Sequence, residues 1–254
     1  METTEPFSLA GRTALVVGGT SGLGREIALG MKKAGARVVL VGRDTGKIDA
    51  AVNDLGGEPA RGYAADVTDV SALRALAGKI ESDVGPVHIL VNSQGTTEIK
   101  PALEFTEEEY DRVVDTNLKS VFFTCQAFGA RMVERGDGCV INIASLAAHY
   151  GWANATPYSI SKYGVHSLTN SLAAEWGGSG VRVNAISPGF FLTDLNKARM
   201  SEERKAQATA RNAMHRFGDL PEIAGAAVFL ASPAAKFITG ETIRVDGGYL
   251  ATGI

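Results

Sequence analysis

Two side chains four residues apart, in Tyr158-Ser-Ile-Ser-Lys162, carry the most specific chemistry in this sequence. Residues i and i+4 of a helix share a face, so phenol and ammonium can meet there. Tyrosine ordinarily titrates near ~10, and a fixed cation beside it favours the phenolate. A phenol tuned in this way can take the proton of an alcohol, and in the reverse direction return it to an alkoxide. The spacing alone is common on solvated helix faces. Its company singles it out. Upstream, Val140-Ile-Asn-Ile143 reads as a strand ending in Ala144-Ser145, which sets the Ser145 hydroxyl where a substrate oxygen would be held beside the phenol. Asn117, a poor helix former inside a helical stretch, is either an exposed polar position or an inward amide that holds a water linking Lys162 to solvent.

The second constellation is Gly18-Gly-Thr-Ser-Gly22-Leu-Gly24, directly after the apolar run Thr13 to Val17. Residues without Cβ permit a tight turn and let a diphosphate approach the backbone. A helix beginning near Gly22 then points its free N–H groups and positive dipole end at the phosphates. The spacing is one residue wider than the standard dinucleotide fingerprint, but its place between a first strand and a first helix implies a dinucleotide. The second strand ends Val41-Gly42-Arg43-Asp44, with no carboxylate at its tip and a planar cation suited to a 2'-phosphate. NADP is therefore expected over NAD, with Asp44 capping the next helix rather than turning inward. Asp66 either accepts from the adenine amino group or caps the helix after it. Gly95 permits close backbone approach, whereas Asn92 either faces the cofactor or ties neighbouring strands together.

The elements that must position these groups alternate regularly. Apolar runs near residues 13–17, 37–41, 62–65, 88–91, 140–143, 182–186 and 242–245 read as strands. Between them, stripes such as Leu23, Ile27, Met31, Ala34 and Val70, Leu73, Leu76, Ile80, Val84 read as helices packed on a sheet. A capping box, Thr106 with Glu109, opens a long helix running towards Arg135. Asp219 is expected to cap another, with Pro221 in its first turn. Seven strands alternating with helices imply an α/β fold, a doubly wound (Rossmann) seven-stranded parallel sheet with helices on both faces. A chain of 254 residues without a composition shift is expected to form one domain over 1–254. The polar stretch 190–217 fits the alternation worst and reads as a substrate lid.

With 45% hydrophobic residues, 21% charged and a net charge of −3, the composition is that of an ordinary globular protein without a basic stripe for nucleic acid. No window suits a membrane span, and Met1 to Ser8 lacks the apolar core of a secretory signal. Cys125 and Cys139, each in an apolar run without metal-ligand spacing, read as buried free thiols, consistent with a reducing cytoplasm and no metal site.

Taken together, and in order, these motifs resemble the short-chain dehydrogenase/reductase family in its single-domain form, from about Leu9 to Gly248. The resemblance rests on the loop Gly18 to Gly24, Asp66, Asn92-Ser-Gln-Gly95, Asn117, Ser145, Tyr158 with Lys162, Pro188-Gly189 with Thr193, and Val245-Asp-Gly-Gly248. It implies a catalytic tetrad of Asn117, Ser145, Tyr158 and Lys162, with Lys162 also holding the nicotinamide ribose. Cofactor contacts are implied at Gly18, Thr20, Ser21, Gly22, Leu23, Gly24, Arg43, Asp66, Val67, Asn92, Gly95, Tyr158, Lys162, Pro188, Gly189, Phe191 and Thr193, the last at the carboxamide. A homodimer or homotetramer is implied through the last helix and strand.

Two departures fall at one contact. Val17 stands where the family has threonine, and the Asn-Asn-Ala-Gly turn reads Asn92-Ser-Gln-Gly95, so compensated repacking is expected there. The segment Pro188 to Asn196 and the ending Asp246 to Gly253 resemble gluconate 5-dehydrogenase-like members, which act on sugar acids. Residues 190–216 carry six cations (Lys197, Arg199, Arg204, Lys205, Arg211, Arg216) against three acids, which suits a carboxylate substrate or leaves an exposed charged helix. His149, Tyr150 and Trp152, between Ser145 and Tyr158, either shape the pocket or serve as packing or interface residues. The expectation is an NAD(P)-dependent interconversion of secondary alcohol and ketone on a sugar acid, polyol or other small hydroxy compound. The alternatives are a 3-oxoacyl-thioester (acyl carrier protein) reductase, and a non-catalytic redox sensor, which an intact tetrad disfavours.

Overall fold

The computed structural model describes residues 5–193 and 200–252. Its strands are β1 (Thr13–Val17), β2 (Arg37–Gly42), β3 (Arg61–Ala64), β4 (Ile89–Asn92), β5 (Gly138–Ile143), β6 (Val181–Pro188) and β7 (Thr242–Val245). They form one sheet in the order β3-β2-β1-β4-β5-β6-β7, and every pairing is parallel. The direction of winding reverses between β1 and β4, where the carboxyl edge opens a crevice for a ligand.

Alternation along each strand divides the core into two layers. Leu15, Val17, Val39, Val41, Leu90, Val140 and Val183 face α3 (Val70–Val84), α5 (Ser120–Arg135) and α6 (Thr156–Trp176). Val16, Val38, Leu40, Ile89, Val91 and Ile141 face α1 (Gly22–Lys33), α2 (Thr45–Asp54) and α8 (Glu222–Ala231). Strands covered on both sides are apolar at nearly every position, because both faces leave water. Helices α1 and α8 touch closely enough that a Cβ on Gly30 would lie 2.5 Å from that of Ala224.

Local signals account for most helix starts. Asp44 accepts from Lys47 N at 3.0 Å, confirming its capping role at α2. Thr106 and Glu109 form the reciprocal box at α4 (Glu107–Val114). The expected long helix is nevertheless not continuous: a π-turn over Asp115–Lys119 separates α4 from α5. Such a turn inserts an extra residue and is often found at functional sites. Helix α8 also departs from expectation. Its N-cap is Pro221 rather than Asp219, with no side-chain cap, and the backbone N–H of Asp219 donates to the Glu222 carboxylate at 2.7 Å. In the 190–217 stretch, Phe191 bridges to Gly218, and α7 (Glu202–Arg211) is capped by Ser201. Lys197 and Arg199 lie outside the described residues. Among those described, no helix is long and apolar enough to cross a membrane.

Candidate active site

The tip of β5, the start of α6 and the π-turn between α4 and α5 bring the tetrad together. Lys162 is 4% exposed, and its Nζ donates to the Ile143 carbonyl at 2.8 Å, at the tip of β5. The same Nζ lies 5.8 Å from the centre of the Tyr158 ring, as the i, i+4 spacing requires. No carboxylate pairs with it in the described residues, and burial alone draws its pKa down from 10.5 to about 8. Burial likewise raises the Tyr158 phenol above its ordinary value, and a hydrogen bond with Ser145 draws it partway back. Desolvation sets the direction of the Tyr158 shift in the free protein.

Ser145 stands two residues beyond the end of β5, and its Oγ accepts from Ala147 N at 3.1 Å, which fixes the hydroxyl at the mouth of the following turn. Asn117 is fully buried in the π-turn, so the exposed reading is excluded. Its Oδ1 accepts from Thr96 N at 2.7 Å, and its Nδ2 donates to Thr96 O at 2.8 Å and Ser161 Oγ at 3.1 Å. Both amide protons are thus committed, and a water on this side chain can only donate to the second lone pair of Oδ1. Sequence spacing did not reveal Thr96 or Ser161 as the partners of Asn117.

Across the crevice lies the glycine loop. Gly18 has φ +73°, and a Cβ there would stand 2.8 Å from Gln94 N. A side chain on Gly24 would strike the Gly18 carbonyl. The cap residue Ser21 makes no side-chain bond to the α1 N–H groups, which leaves them to face an incoming anion. Thr193 stands over this loop, its Cγ2 3.5 Å from where a Gly22 Cβ would be. At Gly95 a Cβ would meet Asn117 Oδ1 at 3.4 Å and Lys162 Nζ at 3.6 Å, so its bareness leaves space between the tetrad and the loop. These cradles, with the uncapped helix end and the unpaired ammonium, fit a nicotinamide dinucleotide.

Other expected contacts divide clearly. Arg43 is exposed and close enough to Asp66 to help hold its carboxyl below the usual range, after the larger effect of hydrogen bonds from Thr68. Asp66 does not cap α3; Asp69 does, accepting from Ser71 and Ala72. Asp66 Oδ1 instead closes a turn onto Thr68 N and Oγ1. Thr20 packs beside bare Gly42, and Leu23 is partly buried against the core. Val67 and Phe191 have core side chains, which leaves their backbones for any ligand contact. The Asn92 amide ties β4 to β5 and α5, donating to Asn142 Oδ1 at 2.9 Å and Cys125 Sγ at 3.2 Å. Pro188 ends β6 beside Val245, and bare Gly189 rests against Asp246.

Both departures lie where the end of β1 meets the turn after β4. Ser93 N donates to Val17 O at 2.9 Å, so backbone holds the turn where a side-chain bond is missing. Gln94 adds a bond to Ser120 Oγ at 3.1 Å.

An aromatic wall completes the pocket. Trp152 meets the Tyr158 ring edge-on at 6.0 Å and Phe190 at 6.1 Å. Tyr150 stacks on Tyr249 at 6.1 Å, while His149 turns away, its Nε2 2.9 Å from Ser187 Oγ. Phe190 and Tyr249 belong to this wall without any periodicity to announce them; only their place beside the Pro188-Gly189 and Val245 to Gly248 motifs hinted at it.

A Tyr-Lys-Ser-Asn cluster at the carboxyl edge of a doubly wound sheet, opposite a glycine loop, defines a dinucleotide-dependent oxidoreductase. The chain matches the family described as enoyl-(acyl carrier protein) reductase over residues 17–250. It is 42% identical over 248 residues to galactitol 2-dehydrogenase (L-tagatose-forming) of Cereibacter sphaeroides, covering 96% of each chain. It is 36% identical to gluconate 5-dehydrogenase of Gluconobacter oxydans, over 95% of this chain and 96% of that one. A gluconate 5-dehydrogenase from Burkholderia cenocepacia, solved in complex with NADP and tartrate, superimposes with a TM-score of 0.93 at 33% identity, covering 98% of this chain and 99% of that one. The chain belongs to the short-chain dehydrogenase/reductase family.

Proposed function

We propose that this single-domain enzyme interconverts a secondary alcohol and a ketone on a sugar acid, polyol or other small hydroxy compound, with NADP favoured over NAD. The observation that carries this reading is the convergence of Tyr158, Lys162 and Ser145 at the tips of β5 and α6, facing the glycine loop. When bound, the nicotinamide supplies the hydride acceptor or donor. Ser145 orients the substrate oxygen, and Tyr158 takes its proton in oxidation or delivers one in reduction. Burial keeps Tyr158 protonated in the free protein, so phenolate formation calls for added positive charge, which an oxidised nicotinamide brings. Lys162, without an acidic partner, is free to hold ribose hydroxyls and to stabilise the phenolate. Arg43 is the residue for the 2'-phosphate, and Asp66, no longer spent on a helix cap, has an oxygen available for the adenine. A homotetramer or homodimer in the cytoplasm accompanies this reading.

The test is a substrate panel with both cofactors, followed at the nicotinamide absorbance. Gluconate and neutral polyols should turn over, and NADP should be the better cofactor. A preference for an acetoacetyl thioester would support the fatty-acid alternative instead. Cofactor binding with no turnover across the panel would indicate the sensor.

A further inference from the structure

We infer that Arg204, on lid helix α7, is an anion anchor that makes this enzyme select a hydroxy acid over the matching neutral polyol. The inference rests on the alcohol–ketone reading above and names its substrate class. Arg204, Ala208 and Arg211 recur at i, i+4 and i+7, and so present one face of α7. Ala208 is buried, and the guanidinium groups lie against the aromatic wall: Arg204 Cζ is 5.6 Å from the centre of the Trp152 ring, and Arg211 Cζ is 4.8 and 5.6 Å from those of Tyr249 and Tyr150.

The four described cations of the lid differ in what already satisfies them. Lys205 pairs with Glu202 at 2.7 Å, and Arg216 with Glu222 at 2.7 Å. Arg211 lies against the rings of both Tyr150 and Tyr249, and its carbonyl accepts from Thr252 Oγ1 at 2.8 Å, a role in tying down the C-terminal segment. Arg204 alone of these four combines half-burial, no carboxylate partner among the described residues and a single aromatic contact. That contact is Trp152, whose ring lies edge-on to the Tyr158 ring. A guanidinium over an aromatic face keeps in-plane N–H groups for a bidentate carboxylate, and the ring restricts where they point. One indole therefore separates the proton-transfer phenol from an unpaired cation, which matches a substrate carrying a hydroxyl at one place and a carboxylate further along its chain.

Arg204→Gln removes the charge and keeps a polar group on the same aliphatic stem, on a shorter side chain. Steady-state kinetics with NADP would compare gluconate with glucitol, its neutral six-carbon counterpart. The wild type should prefer gluconate. The variant should raise the KM for gluconate roughly 10- to 100-fold, the range for losing a charge-assisted bidentate pair, with kcat little changed and glucitol unaffected. Arg204→Lys should recover part of the gluconate KM, and Arg211→Gln should leave the gluconate-to-glucitol ratio unchanged. A parallel readout is the rise in melting temperature that gluconate gives the NADP-loaded protein, which Arg204→Gln should abolish. Equal use of both substrates by the wild type, or an unchanged ratio in Arg204→Gln, overturns the anchor while leaving the oxidoreductase reading intact. No turnover of either compound, or of the wider alcohol panel, would instead bring down the reading on which it rests.

Discussion

Lys162→Met should make the unliganded protein less dependent on pH, because the native lysine is a buried cation without an acid. Its pKa falls from 10.5 to about 8 on folding, through burial. The unfolded chain thus binds the proton more tightly than the folded one between these values. The cost of keeping the amine charged is fully present below pH 8 and is relieved as pH rises towards 10.5. At 1.36 kcal/mol per unit the whole effect is about 3 kcal/mol, of which about 2 kcal/mol is regained between pH 7 and 9.5. Urea unfolding of wild type and Lys162→Met, at matched protein concentration and without cofactor, would measure it. Taking the difference between the two proteins cancels the titration of every other group. The wild type should gain about 2 kcal/mol relative to the variant across that range. The methionine also leaves the Ile143 carbonyl without its ammonium donor, a cost of roughly 1–3 kcal/mol that does not vary with pH. A flat difference between pH 7 and 9.5 would refute the argument that Lys162 is held unpaired at a stability cost for the sake of the site.

Three further expectations concern the cofactor crevice. Gly18→Ala should lower both the melting temperature and dinucleotide affinity, since its φ of +73° and a Cβ 2.8 Å from Gln94 N strain the loop itself. Gly95→Ala has ordinary contacts at 3.4 and 3.6 Å, so it should melt near the wild type yet bind NADP about tenfold more weakly, by calorimetry, as a methyl enters the space beside Lys162. Arg43→Ala should raise the KM for NADP roughly 10- to 100-fold and leave that for NAD nearly unchanged. Adding Gly42→Asp is a less clean test, because its Cβ would press on Thr20 Cγ2 at 3.0 Å.

How much of this could be read beforehand differs by element. The sheet was legible because double burial makes β1, β2, β4, β5 and β6 almost wholly apolar, and because glycines or acids punctuate each crossover. The tetrad was legible from residue types and order. The environment of each member was not. The i, i+4 rule brought Tyr158 and Lys162 together but could not tell that burial would set the direction of both their shifts. Asn117 stood out as a poor helix former, yet nothing in the local pattern distinguishes a π-turn from a continuous helix. Asp66 and Asp69 are equally good caps by type, and only the backbone geometry chose Asp69. The expected Asp219 cap did not form: the helix begins at Glu222, whose carboxylate accepts from Asp219 N while pairing with Arg216. Burial and local backbone geometry, not residue type, decided these cases.

The central claim is that Tyr158 carries the proton, and Tyr158→Phe tests it most directly by removing one oxygen and almost no volume. Turnover of the best substrate should fall by about 10²–10⁴-fold or more, while NADP affinity, measured by calorimetry on the same preparation, stays within a few-fold of wild type. A variant that binds NADP and retains a substantial fraction of the wild-type rate would contradict the assignment.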